Sequence, residues 1–239
     1  MEPISATASQ TISPPIFYWG TPVVLITTEN EDGTSNIAPM SSAWWLGNRC
    51  MLGLASRSQT TINLIRTKQC VLNLASDNMA VAVNALARTT GSKKILDATE
   101  ETGFKRLNGY KYVPDKFGHS GLNPAASELV RPLRIAECPA QMEAELKGVY
   151  EMMQDTGGRR LLALEVKILR THVHEKIRMA GHANRIDPDK WRPLIMSFQE
   201  LYGLAPYKTS ESILAKIDEE QYRVLSNPTD DEIAMESQV

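Results

Sequence analysis

Apolar positions along this chain fall into short runs and two-residue alternations more often than into helical stripes. Val23-Val24-Leu25-Ile26 is a β-branched apolar run long enough for a strand and too short for a helix. Asn30 to Gly33 supplies a turn, Asn36-Ile37-Ala38 resumes extended, and Pro39 is expected to stop it, since proline cannot donate to a sheet ladder. Met40-Ser41-Ser42-Ala43 is then small and mostly polar, with Trp44-Trp45 immediately behind. From spacing alone the two tryptophans serve equally as hairpin core or as walls for a flat ligand that the small residues admit close to the backbone.

Further along, Arg49–Ala55 and Gln69–Leu74 read as strands, and a helix is predicted from Thr60 to Lys68 with Ile62, Leu64 and Ile65 facing inward. Asp77–Thr89 reads as an amphipathic helix that Asp77 caps, its Ala80, Val83, Leu86 and Ala87 sharing one face. Gly91–Pro114 is polar, with Leu107, Tyr110 and Tyr112 as anchors. Leu133–Glu137, Ala140–Met153 and Leu161–His174 return to strands, and Gly157-Gly158 marks the turn between the last two. Leu162, Leu164, Val166 and Ile168 alternate with Ala163, Glu165 and Lys167, so each set takes one face of a sheet. Strands of this number with two short helices inserted predict a mainly β protein, an antiparallel barrel and not a doubly wound sheet.

Composition alters this picture little. A chain of 239 residues with 42% hydrophobic and 23% charged content suits one soluble domain with extensions. No apolar stretch approaches the roughly 18 residues a membrane span needs. Residues 1–15 are Ser/Thr-rich without the apolar core of a signal peptide, and read as a disordered leader. Cys50, Cys70 and Cys138 are odd in number and widely spaced, which points to reduced thiols in a cytoplasmic protein. From residue 218 the tail holds a net charge of −6, against +4 for residues 1–217, and reads as disordered and solvating. Basic residues are dispersed, so nucleic-acid binding has no support. No G-x-G-x-x-G follows a strand, and no Walker loop, zinc frame or nucleophile elbow occurs.

Two places carry candidate chemistry. Ser56, Arg57, Ser58, Thr60 and Thr61 crowd the junction between a strand and a helix. One hydroxyl there is explained by capping, whereas four with an arginine suit a phosphate held by helix amides and the positive end of the dipole. His172-Val173-His174 puts two imidazoles on one side of a strand, a spacing that also suits a metal. The adjacent Glu175 points the other way and no full ligand set is in view, so no metal is expected.

The stretch GTPVVLITTENEDGTSNIAPMSSAWWLG resembles the opening of the flavin reductase-like family, whose fold is the FMN-binding split β-barrel; further blocks agree through Arg49–Asn73 and, more loosely, through Phe117–His174. That resemblance implies that Met40, Ser41, Ser42, Ala43 and Trp44 lie along the flavin ring, and that Ser56, Arg57, Ser58, Thr60 and Thr61 hold the FMN phosphate while Asn63 fixes the turn. It places His119 and His174 as candidates beside substrate, flavin or nicotinamide. It implies an oxidoreductase, homodimeric with sites at the interface, in which NADH or NADPH reduces flavin and a small-molecule acceptor takes the electrons. The alternative within the same resemblance is a non-catalytic electron carrier of the flavoredoxin type. One domain over residues 16–217 is expected. Its extension from about residue 178 resembles a longer branch of the family that folds back on the core, with Trp191, Leu194, Ile195 and Phe198 as anchors. Arg185 and Arg192 are candidates for an anionic group, and Ser210–Ile217 reads as a last helix.

Overall fold

Two residues, Ser41 and Ser42, decide the architecture. The computed structural model describes residues 8–94, 102–155 and 160–213. In it strands β1 (Trp19–Pro22) to β5 are followed by helix α1 (Gln59–Thr67) and β6 (Gln69–Leu74), with β2 at Val24–Glu29, β3 at Ser35–Met40, β4 at Ala43–Leu46 and β5 at Arg49–Ala55. The long strands β11 (Ala140–Met152) and β12 (Leu161–Val173) complete an antiparallel sheet in the order β3-β2-β6-β11-β12-β5-β4. β3 and β4 occupy opposite edges of that sheet, yet only Ser41-Ser42 separates them. Two residues span about 7 Å, so the sheet must curl until its edges meet at this corner. The result is a split barrel.

Its walls are buried on both sides where β2 and β6 run, which explains the unbroken Val23–Ile26 run. Val24 and Ile26 point into the barrel with Cys50, Leu52, Leu54, Cys70, Leu72, Leu164 and Val166. Val23 and Leu25 point the other way, into a second core with Ile37, Leu86, Phe117, Ile135 and Leu194. That second layer comes from the middle of the chain: a 3-10 turn at Asp77–Met79, α2 (Ala80–Leu86), β7 (Thr89–Thr90), α3 (Thr102–Leu107), β8 (Lys111–Tyr112), α4 (Lys116–Ser120), β9 (Pro124–Ala125) and β10 (Arg134–Ile135). The segment from about residue 178 packs back on the core, with Leu194 buried and Phe198 exposed. Leu194 bonds both Val23 and Ala75 through its backbone, and β13 (Ile195–Ser197) pairs with β1 and with β14 (Glu200–Tyr202).

Several elements differ from the sequence reading. Pro39 lies inside β3, opposite Leu25, and is tolerated because β3 is an edge strand whose outward amide has no ladder partner. In α1 the inward residues are Thr60, Thr61, Asn63 and Leu64, whereas Ile62 and Ile65 are exposed. The Asp77–Thr89 helix is shorter: it starts as the 3-10 turn, Asp77 bonds Arg192 instead of capping, and Ala87 is exposed. The Leu133–Glu137 strand contracts to β10. Arg192, considered for an anionic ligand, also bonds the carbonyls of Leu204 and Ala205. Residues 210–213 are not helical, and the rest of that expected helix lies outside the described residues. Residues 8–15 carry neither helix nor strand; the first seven residues, Gly157-Gly158 and the tail from 218 lie outside the described part.

Lys116 at the start of α4 is buried, and its Nζ donates to the Ile37 carbonyl on the open edge of β3 (3.0 Å) and to Thr89 Oγ1 (2.6 Å). Burial, with Lys105 nearby, pulls its pKa down to about 8 from 10.5. Between those values the unfolded chain holds a proton that the folded chain has lost, so this group makes stability rise with pH. The three buried thiols, whose pKa values are pushed up, pull the opposite way above pH 9. The difference in unfolding free energy between wild type and Lys116→Met should therefore shift in favour of wild type by up to about 3 kcal/mol from pH 8 to 10.5. Urea titrations across that window check it; a flat difference contradicts it.

Candidate functional site

At the barrel corner β4 alternates, and the alternation assigns its tryptophans. Ala43 is buried in the barrel, opposite Leu52, and Trp45 turns the same way against the core, leaving its Nε1 buried without a partner among the described residues. Trp44 turns outward, opposite Met51, and is 57% exposed. Only Trp44 is thus available as a wall.

Beneath it the corner is stitched to β5. The Gly53 amide donates to the Ser42 carbonyl at 2.8 Å, and Ser42 Oγ donates to the Gly53 carbonyl at 2.5 Å. This closeness depends on glycine, because a Cβ on residue 53 would sit 3.2 Å from that of Ser42. On the next strand Gly53 faces Ala163. Ser42, Gly53 and Ala163 together make a low floor on the outer surface, bounded by Trp44, with Ser41 half-buried at the corner; the Met40 side chain, expected along the ring, packs against the barrel core instead.

β5 ends at Ala55, and the hydroxyl junction begins at Ser56, three residues and about 10 Å beyond Gly53. Ser58 is the N-cap of α1: its Oγ accepts from the Thr61 amide (3.1 Å) and bonds Thr61 Oγ1 (2.8 Å), while Thr61 Oγ1 donates to the Ala55 carbonyl (2.8 Å). The Ser56 amide is taken by the Arg160 carbonyl. Arg57 stands exposed between Ser56 and Ser58. The first turn of α1 contains no acidic side chain, so no carboxylate of its own neutralises the positive end of its dipole.

The expected phosphate group therefore divides. Ser56, Arg57 and Ser58 lie nearer the surface than the buried Thr60 and Thr61, but the Ser58 hydroxyl is engaged like theirs: Thr61 Oγ1 spends its proton on the Ala55 carbonyl and so takes that of Ser58. Asn63 is buried too; its Nδ2 donates to Thr28 Oγ1 (3.1 Å) and Asn30 Oδ1 (2.8 Å) while its Oδ1 accepts from Gln59 Nε2 (2.7 Å), so it ties the first turn of the helix to the β2–β3 hairpin.

The histidine candidates are anchored to backbone. His119 Nε2 lies 3.0 Å from the Ala85 carbonyl and His174 Nε2 2.9 Å from that of Ala136. A carbonyl only accepts, so Nε2 carries a proton in both rings. His172 instead bonds the buried Glu143 through Nε2 at 2.6 Å. Among the described residues no three His, Cys, Asp or Glu side chains form a metal-binding group. Neither Gly53 with Ala163 nor the Glu143 cluster was singled out from sequence; the lone glycine within the apolar Arg49–Ala55 strand is the one signal that marked a close backbone approach.

The family model described as flavin reductase like domain matches residues 18–196. The uncharacterized protein YdfE of Bacillus subtilis is 38% identical over 193 residues, which span 81% of this chain and 88% of that protein. Among solved structures, the flavoredoxin of Desulfovibrio vulgaris (Miyazaki F) is 16% identical with a TM-score of 0.67, over 87% of this chain and 99% of that one. Nitrilotriacetate monooxygenase component B from Bacillus cereus is 17% identical with a TM-score of 0.66, over 87% and 100%. At these identities the two structures speak for the fold.

Proposed function

Since the chain belongs to the flavin reductase-like family, we propose that it is an FMN-dependent oxidoreductase that uses NADH or NADPH to reduce flavin or a small organic acceptor. The observation that carries the reading is the continuous track from the Ser42–Gly53 seam to the Ser56–Ser58 junction. The seam offers a floor of small residues for a flat ring, and the junction offers a guanidinium, the Ser56 hydroxyl and a helix start with no carboxylate in its first turn. A ring and a phosphate joined by a ribityl chain fit that track. When bound, FMN would supply hydride-accepting and electron-transfer chemistry that no side chain here provides. The protein's share is to hold the phosphate with Arg57 and Ser56 beside the Ser58-capped start of α1, to wall the ring with Trp44, and to orient it along the Met40–Ala43 backbone.

A second copy of the chain covers the outer face in this reading. Trp44 and Leu46 on β4, with Tyr150 and Met152 on β11, expose apolar surface near the track, and β4 is an unpaired edge. We place the protein in the cytoplasm on the strength of its three buried, unbridged thiols. Among the described residues no helix is long and apolar enough to cross a membrane.

Purified protein titrated with FMN should quench flavin fluorescence, run as a dimer by light scattering, and bleach the flavin spectrum when NADH or NADPH is added under nitrogen. Absence of FMN binding overturns the proposal. The flavoredoxin likeness favours one alternative, an electron carrier; it prevails if flavin binds but nicotinamide is consumed only after a separate reductase is added.

A further inference from the structure

Between α1 and the β2–β3 hairpin lies a buried polar network. Asn36 Nδ2 donates to Thr60 Oγ1 (3.1 Å) and Thr28 Oγ1 (3.3 Å); Asn63 Nδ2 donates to Thr28 Oγ1 and Asn30 Oδ1; Gln59 Nε2 donates to Asn63 Oδ1 (2.7 Å). Thr28, Asn30, Asn36, Thr60 and Asn63 are each at most 4% exposed. Gly91 closes the network from the second layer, where a Cβ would fall 2.9 Å from Asn30 Nδ2 and Asn36 Oδ1. Apolar side chains would have held this helix to the barrel equally well. A satisfied amide network differs in being directional, since it fixes the helix in one register and one height above the hairpin.

That register matters because of what each partner carries. Four residues beyond Asn36, β3 ends at Met40 and the corner that would lie along the ring. Two residues before Thr60, the helix starts at Ser58 and the phosphate seat. We propose that the Asn36–Thr60–Asn63 network sets the spacing between the two ends of the flavin track, making Asn36 and Thr60 positioning residues that determine preference for FMN over riboflavin. This rests on the FMN reading above. Riboflavin engages the ring end alone and is indifferent to the spacing; FMN must satisfy both ends at once and is sensitive to a shift of a few tenths of an ångström.

The test is paired titration of FMN and riboflavin, with thermal unfolding of the flavin-free protein alongside. Thr60→Val preserves shape and removes the acceptor. It should weaken FMN about tenfold and riboflavin little, a loss of one neutral hydrogen bond's worth of alignment. Asn36→Ala should show the same change in ratio, and Thr60→Ser should restore wild-type discrimination. A purely structural role predicts a lower melting temperature with both flavins weakened in equal proportion, or neither. Wild type that discriminates while Thr60→Val and Asn36→Ala keep its FMN-to-riboflavin ratio overturns this inference alone. Wild type that takes neither flavin overturns the functional reading, and this inference with it.

Discussion

Glu143→Ala should lose roughly 3–5 kcal/mol of stability, the expected result of removing one partner from a buried charged cluster. The Glu143 carboxylate is fully buried. Its Oε1 accepts from the Glu128 amide (2.9 Å) and from His172, and its Oε2 from the amides of Leu129 (2.6 Å) and Val130 (3.1 Å). Alanine leaves those donors facing a cavity. For a chain of this size the melting temperature should fall by on the order of 10 °C, and the amides of residues 128–130 should lose their protection from hydrogen exchange. Burial pushes the Glu143 pKa up, but the amides of Glu128 and Leu129, the His172 ring and the Val130 amide outweigh it and leave it below 4.5. The carboxylate's contribution is thus complete above about pH 4.5 and is lost as pH falls through the lower folded value. Glu143→Gln keeps one acceptor oxygen, so it should be intermediate at pH 7 and should flatten that acid limb. Unchanged melting with residues 128–130 still protected would contradict the assignment.

This cluster also marks where sequence patterns run out. β5 and β6 were legible to the residue, β5 because a half-buried strand writes its alternation locally and β6 because a strand buried on both faces is a short apolar run. The inward face of α1 was misread for the converse reason. Leu64 points into the barrel core as expected, but the rest of the buried side packs on Thr28, Asn30 and Asn36 with hydroxyl and amide groups, while Ile62 and Ile65 face out. Apolar periodicity cannot register a polar-on-polar contact. Asp77 looked like a local cap, yet it is claimed by Arg192, 115 residues away. Lys116 and Glu143 were invisible as buried ions, because each is satisfied by backbone from segments distant in sequence.

Part of the site was legible because its chemistry is contiguous. Ser56, Arg57 and Ser58 follow one another, and the capping role of Ser58 is a local matter. The floor was not, since Ser42, Gly53 and Ala163 come from three strands and matter for what they lack. The assignment of Thr60 and Thr61 to phosphate was plausible from residue type and is overruled by geometry: a hydroxyl 3.1 Å from an Asn36 amide, or donating to the Ala55 carbonyl, is occupied inside the protein. That narrowing raises the weight carried by the exposed arginine.

Arg57→Ala should therefore weaken FMN by ten- to a hundredfold and leave riboflavin nearly unchanged. FMN differs from riboflavin only in its phosphate, so whatever holds the phosphate must set the difference. With the Ser58, Thr60 and Thr61 hydroxyls engaged within the protein, the proposed seat is left with the Ser56 hydroxyl, the start of α1 and one guanidinium. A guanidinium can present two parallel donors to a phosphate, and a charge-assisted bond is worth about 1.5–3 kcal/mol, which spans the stated range. Arg57→Lys keeps the charge without the fork and should recover part of the affinity. Because the residue is exposed, removing it should not move the melting temperature of the flavin-free protein. Raising salt should weaken FMN in wild type more steeply than in Arg57→Ala, since an exposed cation is screened. Equal weakening of both flavins by Arg57→Ala would assign Arg57 to the ring side or to folding and withdraw the phosphate seat from this junction.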